Sequence, residues 1–296
     1  MSQATCPAGC DATPAPTFDL TNFTVDRCPT CGVYSLQGQA GQPATALDRE
    51  QFADAFRSIR WRNYGQILDQ VGTRVSLAGA LVLDVGCSVG WFLEAAAARG
   101  CRCLGIEPDA FFCERAREAL PASIELAQGY FPADLPPGWA PFDVITFHDV
   151  FEHLPDPRAM LRACRERLTS GGVTVLSLPS ADGFVYQIGR LLYRLGWKGP
   201  LERMYQVHYP FPHLFYFTPK SLALLAQRAG FEVVHIGRLD GFAVSGALAR
   251  ARMDEGGGVM QAVATYLNAA VLVAFALLQR ALPSDNIYVI LRSRNA

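Results

Sequence analysis

The stretch from Leu81 to Gly100, LVLDVGCSVGWFLEAAAARG, constrains this chain more than any other. An apolar run, Leu81-Val82-Leu83, ends in Asp84; a glycine-punctuated turn follows, Gly86-Cys87-Ser88-Val89-Gly90, and then an alanine-rich segment that stops at Gly100. That order reads as a buried strand, a tight loop and a helix. Gly86 and Gly90 remove side chains where a backbone must approach something closely. The helix start behind them offers free N–H groups and a positive dipole end to an anionic or strongly polar ligand. An ordinary βα turn, in which the glycines only relieve strain, is the alternative on this stretch alone. Arg102–Ile106 then reads as a second strand, closing with Glu107 and Pro108. An acidic residue roughly 20 positions after a glycine loop, at the C-terminal end of a strand, is placed to accept hydrogen bonds from ribose hydroxyls. The dinucleotide fingerprint G-x-G-x-x-G is incomplete, because its third position is missing.

These residues resemble the first motif of the class I S-adenosylmethionine-dependent methyltransferases, an acidic residue followed by Gly-x-Gly-x-Gly or a variant. Asp84, Gly86 and Gly90 match it, with Ser88 in the middle slot. The resemblance covers about residues 50 to 240 and the last strand. It implies an α/β, Rossmann-like methyltransferase fold with a mostly parallel seven-stranded sheet and a terminal antiparallel strand. It also implies S-adenosylmethionine as cofactor. Asp84, Gly86 and Gly90, with Cys87 between them, are expected at the methionine end, and Glu107 with Pro108 at the ribose. Gln128 is the nearest polar candidate for the adenine, which Tyr130 or Phe131 would stack on, and His148 borders the acceptor.

The catalytic region, residues 72–296, alternates strands and helices as a parallel sheet covered on both faces does. Ala110–Leu120 reads as a helix, Ser123–Ala127 as a short strand and Phe142–Phe147 as the fourth strand. Asp156-Pro157 opens a helix through Leu168, with an N-cap followed by proline, and Gly171-Gly172 ends it. Val173–Leu178 is apolar or β-branched throughout and therefore central. Phe231–Gly237 and Asn286–Arg292 look like the family's antiparallel terminal pair.

After the fourth strand comes His148-Asp-Val-Phe-Glu-His153. On a helix, Asp149, Glu152 and His153 would share one face at i, i+3 and i+4. Two carboxylates and an imidazole could then ligate a divalent cation such as Mg2+. The same positions resemble the acidic-x-x-Glu-His pattern of ubiquinone-pathway O-methyltransferases, where it is linked to metal dependence. His148 or His153 could instead act as general base for a hydroxyl acceptor, or Glu152 and His153 could form a structural pair. Further on, HLFYFTPKSL resembles the family's entry to its last helix, which places His213 and Tyr216 in the acceptor pocket.

Residues 1–37 bring Cys6 and Cys10 before Cys28 and Cys31. Two turn-forming cysteine pairs can give four thiolates to a structural zinc ion, which replaces the core so short a segment lacks. A zinc-ribbon-like unit is expected, against four unlinked thiols in a tail. Residues 38–47 read as a linker and Asp48–Val71 as a helix packed on the catalytic domain. Nine cysteines, several inside apparent elements, suit a reducing cytoplasm, and the first residues lack a signal-peptide pattern.

Half the chain is apolar and the formal net charge is −1, so bulk charge argues for no nucleic-acid partner. The apolar excess lies partly in two insertions, 181–217 and 241–284. The first offers an amphipathic helix with Phe184, Ile188, Leu191, Leu192 and Leu195 on one face, basic residues elsewhere and several aromatics. It suits either a membrane surface or a lid over the active site. The second has no charge between Gly256 and Gln279. A single crossing there would separate two strands that must pair, so a helical hairpin associated with one leaflet, dimerising or packed on the domain, is expected. The resemblance implies methyl transfer, and the apolar insertions point its expected hydroxyl acceptor towards a small-molecule, lipid-linked or saccharide compound, in a protein expected to be cytoplasmic and peripheral to the membrane. A nicotinamide oxidoreductase and a non-catalytic membrane scaffold are the readings from other classes.

Overall fold

A computed structural model describes residues 5–38, 57–207, 211–241 and 281–294. The chain starts with three short strands, β1 (Ala15–Asp19), β2 (Thr24–Arg27) and β3 (Tyr34–Gln37). Helix α1 (Arg57–Gly72) leads into the alternating region: β4 (Leu81–Val85), α2 (Trp91–Ala97), β5 (Arg102–Glu107), α3 (Ala110–Ala119), β6 (Glu125–Gln128) and β7 (Phe142–His148). A single 3-10 turn over Phe151–His153 precedes α4 (Pro157–Arg167) and the long β8 (Leu168–Pro179). The insertion supplies α5 (Phe184–Arg194), α6 (Gly199–Met204) and the two-residue β9 (Phe215–Tyr216). The described chain closes with α7 (Pro219–Arg228), β10 (Phe231–Leu239) and β11 (Asn286–Ser293).

Seven strands form one sheet in the order β10-β11-β8-β7-β4-β5-β6, in which β11 runs antiparallel to both neighbours and the remaining pairings are parallel. The expected mostly parallel sheet with its reversed terminal strand is therefore present. Alternation along each strand divides the core. Val82, Val144 and Val175 meet Tyr64, Ile67, Leu68, Phe92 and Leu93 from α1 and α2. Leu83, Ile145, Phe147 and Leu176 point the other way, onto Leu161 of α4 and Leu222, Leu225 and Ala226 of α7.

The cysteine-bearing segment is not a free-standing unit. Strands β1, β2 and β3 complete a four-stranded sheet with β9, through Tyr34 opposite Tyr216 and Ser35 opposite Phe215. Cys6, Cys10, Cys28 and Cys31 are buried in the same core cluster as Phe217 and Leu222. Polar contacts fasten the junction: Thr218 Oγ1 donates to the Cys31 carbonyl at 3.2 Å, and Lys220 Nζ to the Thr30 carbonyl at 2.7 Å. Helix α1 lies within the later part of the segment read as a helix over Asp48–Val71, and residues 39–56 of the linker and helix lie outside the described residues.

Other boundaries shift for physical reasons. Gly171-Gly172 does not end a helix, because β8 already begins at Leu168. A Cβ on Gly172 would stand 3.0 Å from the Phe142 carbonyl oxygen, so the bare backbone lets β8 run close beside β7. Helix α5 buries Tyr186 and Gly189 rather than the anticipated stripe, leaving Leu191 54% and Leu195 68% exposed. Among the described residues no helix is long and apolar enough to cross a membrane. The anticipated hairpin of 241–284 falls almost wholly outside them.

The sheet is tightly packed at Gly105, opposite Asp84 in the β4–β5 register. A Cβ there would meet Cys87 Sγ, Leu93 Cδ1 and Leu126 Cδ2, each at 2.7 Å. Overpacking against three neighbours at once costs about 1–3 kcal/mol. Gly105→Ala is therefore expected to lower unfolding stability by that amount, read from the denaturant midpoint at unchanged m-value. A shift below about 0.5 kcal/mol would show that the loop side of β5 is loosely packed.

Candidate active site

The rim at the C-terminal ends of β4, β5, β6 and β7 gathers the residues singled out from the sequence, as expected of a ligand crevice in an open α/β sheet. After β4 the chain turns through three residues in the left-handed region: Gly86 at φ 71°, Ser88 at 49° and Gly90 at 83°. A Cβ on Gly86 would stand 2.6 Å from Val150, and one on Gly90 would stand 2.3 Å from Leu120, so both glycines serve conformation and close approach. Glu107 holds this loop. Its Oε2 accepts the Ser88 N–H at 2.8 Å and its Oε1 the Asp109 N–H at 2.9 Å. Each oxygen thereby takes one backbone donor and retains a second lone pair. Burial raises the Glu107 pKa, and the Asp109 and Ser88 amides oppose the rise. Pro108, half-buried, leads into Asp109, which caps α3 by accepting from the Phe111 N–H.

Asp84 ends β4 beneath the loop. Thr146 Oγ1 donates to its Oδ1 at 2.7 Å. Burial drives the Asp84 pKa up to about 8, with the Thr146 bond opposing and Glu107 adding to the rise. Gln128 sits opposite Glu107 in register at the end of β6, exposed on the same rim. Tyr130 is 65% exposed, whereas Phe131 is core, packed edge-on against Phe147. Stacking on a ligand ring is thus open to Tyr130 alone of the two.

Cys87 does not face the crevice. Its thiol packs against Gly105, its N–H bonds the Ile106 carbonyl, and the side chain belongs to the core beneath the loop.

His148 ends β7, with Nδ1 2.9 Å from Ser177 Oγ and its ring against Phe92 at 4.2 Å and Tyr64 at 5.0 Å. Its Nε2 is buried without a hydrogen-bond partner. Burial, helped by the Arg60 charge, pushes its pKa down to about 3. Such a ring holds a proton less readily than a free imidazole. Helix α1 covers this corner through Tyr64 and through Arg60, whose Nη2 meets Asp149 Oδ2 at 3.1 Å.

The helical face imagined for Asp149, Glu152 and His153 does not form. Asp149 adopts a left-handed φ of 55°, which breaks any helix before the Phe151–His153 turn, and its carboxylate goes to Arg60. His213 takes the vacated place. Glu152, His153 and His213 bring one ligand atom each to within 4.8 Å of one another. Glu152 is fully buried, and its Oε1 stands 4.0 Å from His153 Nε2 and 3.9 Å from His213 Nε2. Neither oxygen has a hydrogen-bond partner. Burial, then the Asp149 charge, raises the Glu152 pKa well above the usual carboxylate range; burial lowers that of His153 and takes His213 to about 3. Sequence reasoning found all three residues but grouped His213 only with Tyr216. That pairing also exists, at 3.1 Å between His213 Nδ1 and the Tyr216 hydroxyl. Behind it, Tyr216 stacks on Tyr186 at 4.4 Å, and the Tyr186 and Tyr205 hydroxyls meet at 2.6 Å.

The other convergence is the set Cys6, Cys10, Cys28 and Cys31, four buried thiols within 4.8 Å of one another. The bond from Cys31, at 3.5 Å, holds the Cys6 thiol down to about 5, while that same contact and burial push Cys31 up. Four sulfur donors at mutual contact fit a tetrahedral zinc ion.

A family model described as "Methyltransferase domain" matches residues 56–236. The ubiquinone biosynthesis O-methyltransferase of Pseudomonas putida (strain W619) is 32% identical over 169 residues, covering 56% of this chain and 70% of that protein. Its namesake in Xanthomonas campestris pv. campestris (strain B100) is 37% identical over 113 residues, 37% of this chain and 47% of that one. Among solved structures, the magnesium protoporphyrin IX methyltransferase of Synechocystis PCC 6803, with bound SAH, aligns at TM-score 0.54 and 12% identity, covering 84% of this chain and 95% of that one. The cyclopropane synthase MmaA2 of Mycobacterium tuberculosis aligns at 0.53 and 16%, with 76% and 84% covered. At such identities the structural likeness establishes the fold.

The buried Asp84 makes stability depend on pH. The unfolded chain releases this proton near 3.8, whereas the folded protein keeps it to about 8. The unfolded state therefore binds fewer protons between those values, and the ligand-free protein loses stability as pH rises through them. Asp84→Asn is expected to flatten that part of the decline. Urea denaturation at about pH 5 and about pH 8 measures it; equal losses in both proteins would show that Asp84 ionises normally.

Proposed function

Because the chain belongs to the class I S-adenosylmethionine-dependent methyltransferases, we propose that it moves the sulfonium methyl of that cofactor to a hydroxyl oxygen of a small-molecule acceptor. The carrying observation is the Glu107 carboxylate, fixed by Ser88 and Asp109 at the sheet's rim with a lone pair to spare on each oxygen. That arrangement suits the two hydroxyls of a ribose. Bound S-adenosylmethionine supplies a methyl group on a positively charged sulfur with a neutral thioether as leaving group. The residues present fit such a ligand. Gly86 and Gly90 let the loop adopt its left-handed turns beneath Val150 and Leu120, and Asp84 stands below them as a carboxylate that a neighbouring cation would ionise. Gln128 and Tyr130 are placed for the adenine. His148, with its buried and unpartnered Nε2, marks the boundary towards the acceptor.

Positioning is the chain's main contribution to such a displacement, since two atoms held in line react far faster than two that must collide. Tyr216 and His213, buried with Tyr186 stacked behind, are assigned to the acceptor side. Their aromatic character supports an apolar or ring-bearing acceptor, as do relatives named for ubiquinone biosynthesis. The four N-terminal thiols are assigned to a structural zinc ion. Leu191, Leu195 and Trp197, exposed beside Arg194 and Lys198, support contact with an anionic membrane surface from which a lipid-linked acceptor would be drawn.

Two measurements test this reading. Removing the Glu107 carboxylate abolishes charged hydrogen bonds worth about 1.5–3 kcal/mol. Glu107→Ala is therefore expected to weaken S-adenosylhomocysteine binding about 10- to 150-fold in calorimetry. NAD should not bind the unaltered protein; tight NAD binding with no response to S-adenosylhomocysteine would overturn the assignment. For the surface patch, the protein is expected to float with vesicles containing phosphatidylglycerol and to stay behind with pure phosphatidylcholine. The double substitution Leu195→Glu, Trp197→Glu should abolish flotation, and unaltered flotation would remove this patch from the contact.

A further inference from the structure

Cationic side chains close in on both cysteine turns of the amino-terminal segment. The first turn, Cys6–Cys10, holds Gly9 at φ 74°, and the place a Cβ on Gly9 would take lies 3.1 Å from both Arg158 Nη1 of α4 and Arg228 Nη1 of α7. Arg228 Nη1 also donates to the Ala8 carbonyl at 3.2 Å. The second turn, Cys28–Cys31, is met in the same way. Lys220 Nζ of α7 donates to the Thr30 carbonyl, and Arg27 Nη2 stands 3.4 Å from the Cβ position of Gly32. None of these four cations forms an ion pair with a carboxylate among the described residues, and Asp11, beside Cys10, pairs with none of them. Two guanidiniums brought to one point with no acid between them repel each other. The charge that answers them has to come from the cysteines.

What the cations face changes when metal binds. Four neutral thiols carry no charge, whereas four thiolates around one Zn2+ carry two net negative charges, their protons having passed to solvent. Resting on the assignment of these thiols to zinc, we infer that Arg158, Arg228, Lys220 and Arg27 are the outer-shell counter-cations of the metal centre, and that the charge created on loading zinc docks the amino-terminal unit onto α4 and α7. Outer-shell partners tune a metal site through its ligands, and here three of the four come from the catalytic domain. Helix α7 serves both turns. Its N-cap Thr218 and then Lys220 reach the Cys31 and Thr30 carbonyls, and Arg228 at its far end reaches Ala8. Thr218 follows Phe215–Tyr216 of β9 closely, so the metal's charge also bears on how that strand enters its helix. Each cation is exposed, so the attraction is screened and comes from the four acting together.

The test separates charge from hydrogen bonding, because glutamine still donates to a carbonyl but carries no charge. Zn2+ affinity of the full chain is measured by competition with a chromophoric chelator. Arg158→Gln with Arg228→Gln is expected to weaken binding about 10- to 100-fold, whereas Arg158→Lys with Arg228→Lys stays close to the unaltered protein. Lys220→Gln, at the other turn, should shift affinity in the same direction and keeps the test open if the arginine pair does not fold. Amide exchange reads the docking. Stripping the metal from the unaltered protein should speed exchange in α7 as well as in β1 to β3, and leave β4 and β5 protected. Unchanged affinity in the glutamine pair, or in Lys220→Gln where that pair fails to fold, would overturn the proposal. Equal losses in the lysine and glutamine pairs would do the same, since they assign the arginines to packing, and so would α7 exchange that ignores the metal. An unaltered protein that takes up no zinc on reloading fails the zinc assignment itself, before any variant is made.

Discussion

One carboxylate, that of Glu107, holds the ligand rim together. It draws the Ser88 amide from the loop after β4 and the Asp109 amide from the start of α3 onto the end of β5. Through it, a loop with three left-handed residues in five positions is tied to a neighbouring helix start. The strained conformation of Ser88, a residue with a Cβ at φ 49°, is offset by the charge-assisted bond to its own amide. Cys87, pressed below the loop into the space that Gly105 leaves open, closes the arrangement from beneath. The crevice is therefore shaped by backbone donors and one acid, with side chains turned inward.

The ionisable groups around this crevice share an electrostatic character. Asp84, Glu107 and Glu152 are all pushed towards their protonated forms, and His148, His153 and His213 towards their neutral ones, with burial the first cause in each case. The rim is a dry region built from groups that would each prefer a partner. Carboxylates in that condition favour cations, and bare imidazole nitrogens favour electron-pair acceptors. A sulfonium ligand answers the first of these preferences.

Much of this was legible in the sequence, for reasons visible in particular residues. Leu81–Asp84 and Arg102–Glu107 carry the apolar runs and terminal acids of central parallel strands, and the glycines between them mark a loop in local chain order. Features that depend on distant pairing were not legible. Strand β9 is two residues long and owes its existence to β3, far away in sequence, so no local pattern announces it. His213 joins Glu152 across some sixty positions, and Asp149 leaves that group because a left-handed turn interrupts the run, which a non-glycine residue gives no reason to expect. The amphipathic pattern of α5 revealed which face is apolar but not how deeply it is covered: Tyr186 and Gly189 are buried, while of the apolar stripe Phe184, Ile188 and Leu192 are half-buried and Leu191 and Leu195 exposed. Periodicity reports contrast between faces; it is silent on what lies opposite.

The edge shared by β3 and β9 has a consequence for how this molecule can change over evolutionary time. The amino-terminal strands and the segment carrying Phe215 and Tyr216 are a single hydrogen-bonded sheet, so neither can be exchanged as an interchangeable cassette. A lineage that discards the amino-terminal strands must rebuild the edge that Phe215 and Tyr216 pair with, in a sheet begun some two hundred residues earlier. Inheritance of the two parts is expected to be joint, and their divergence to be paced by the slower of them.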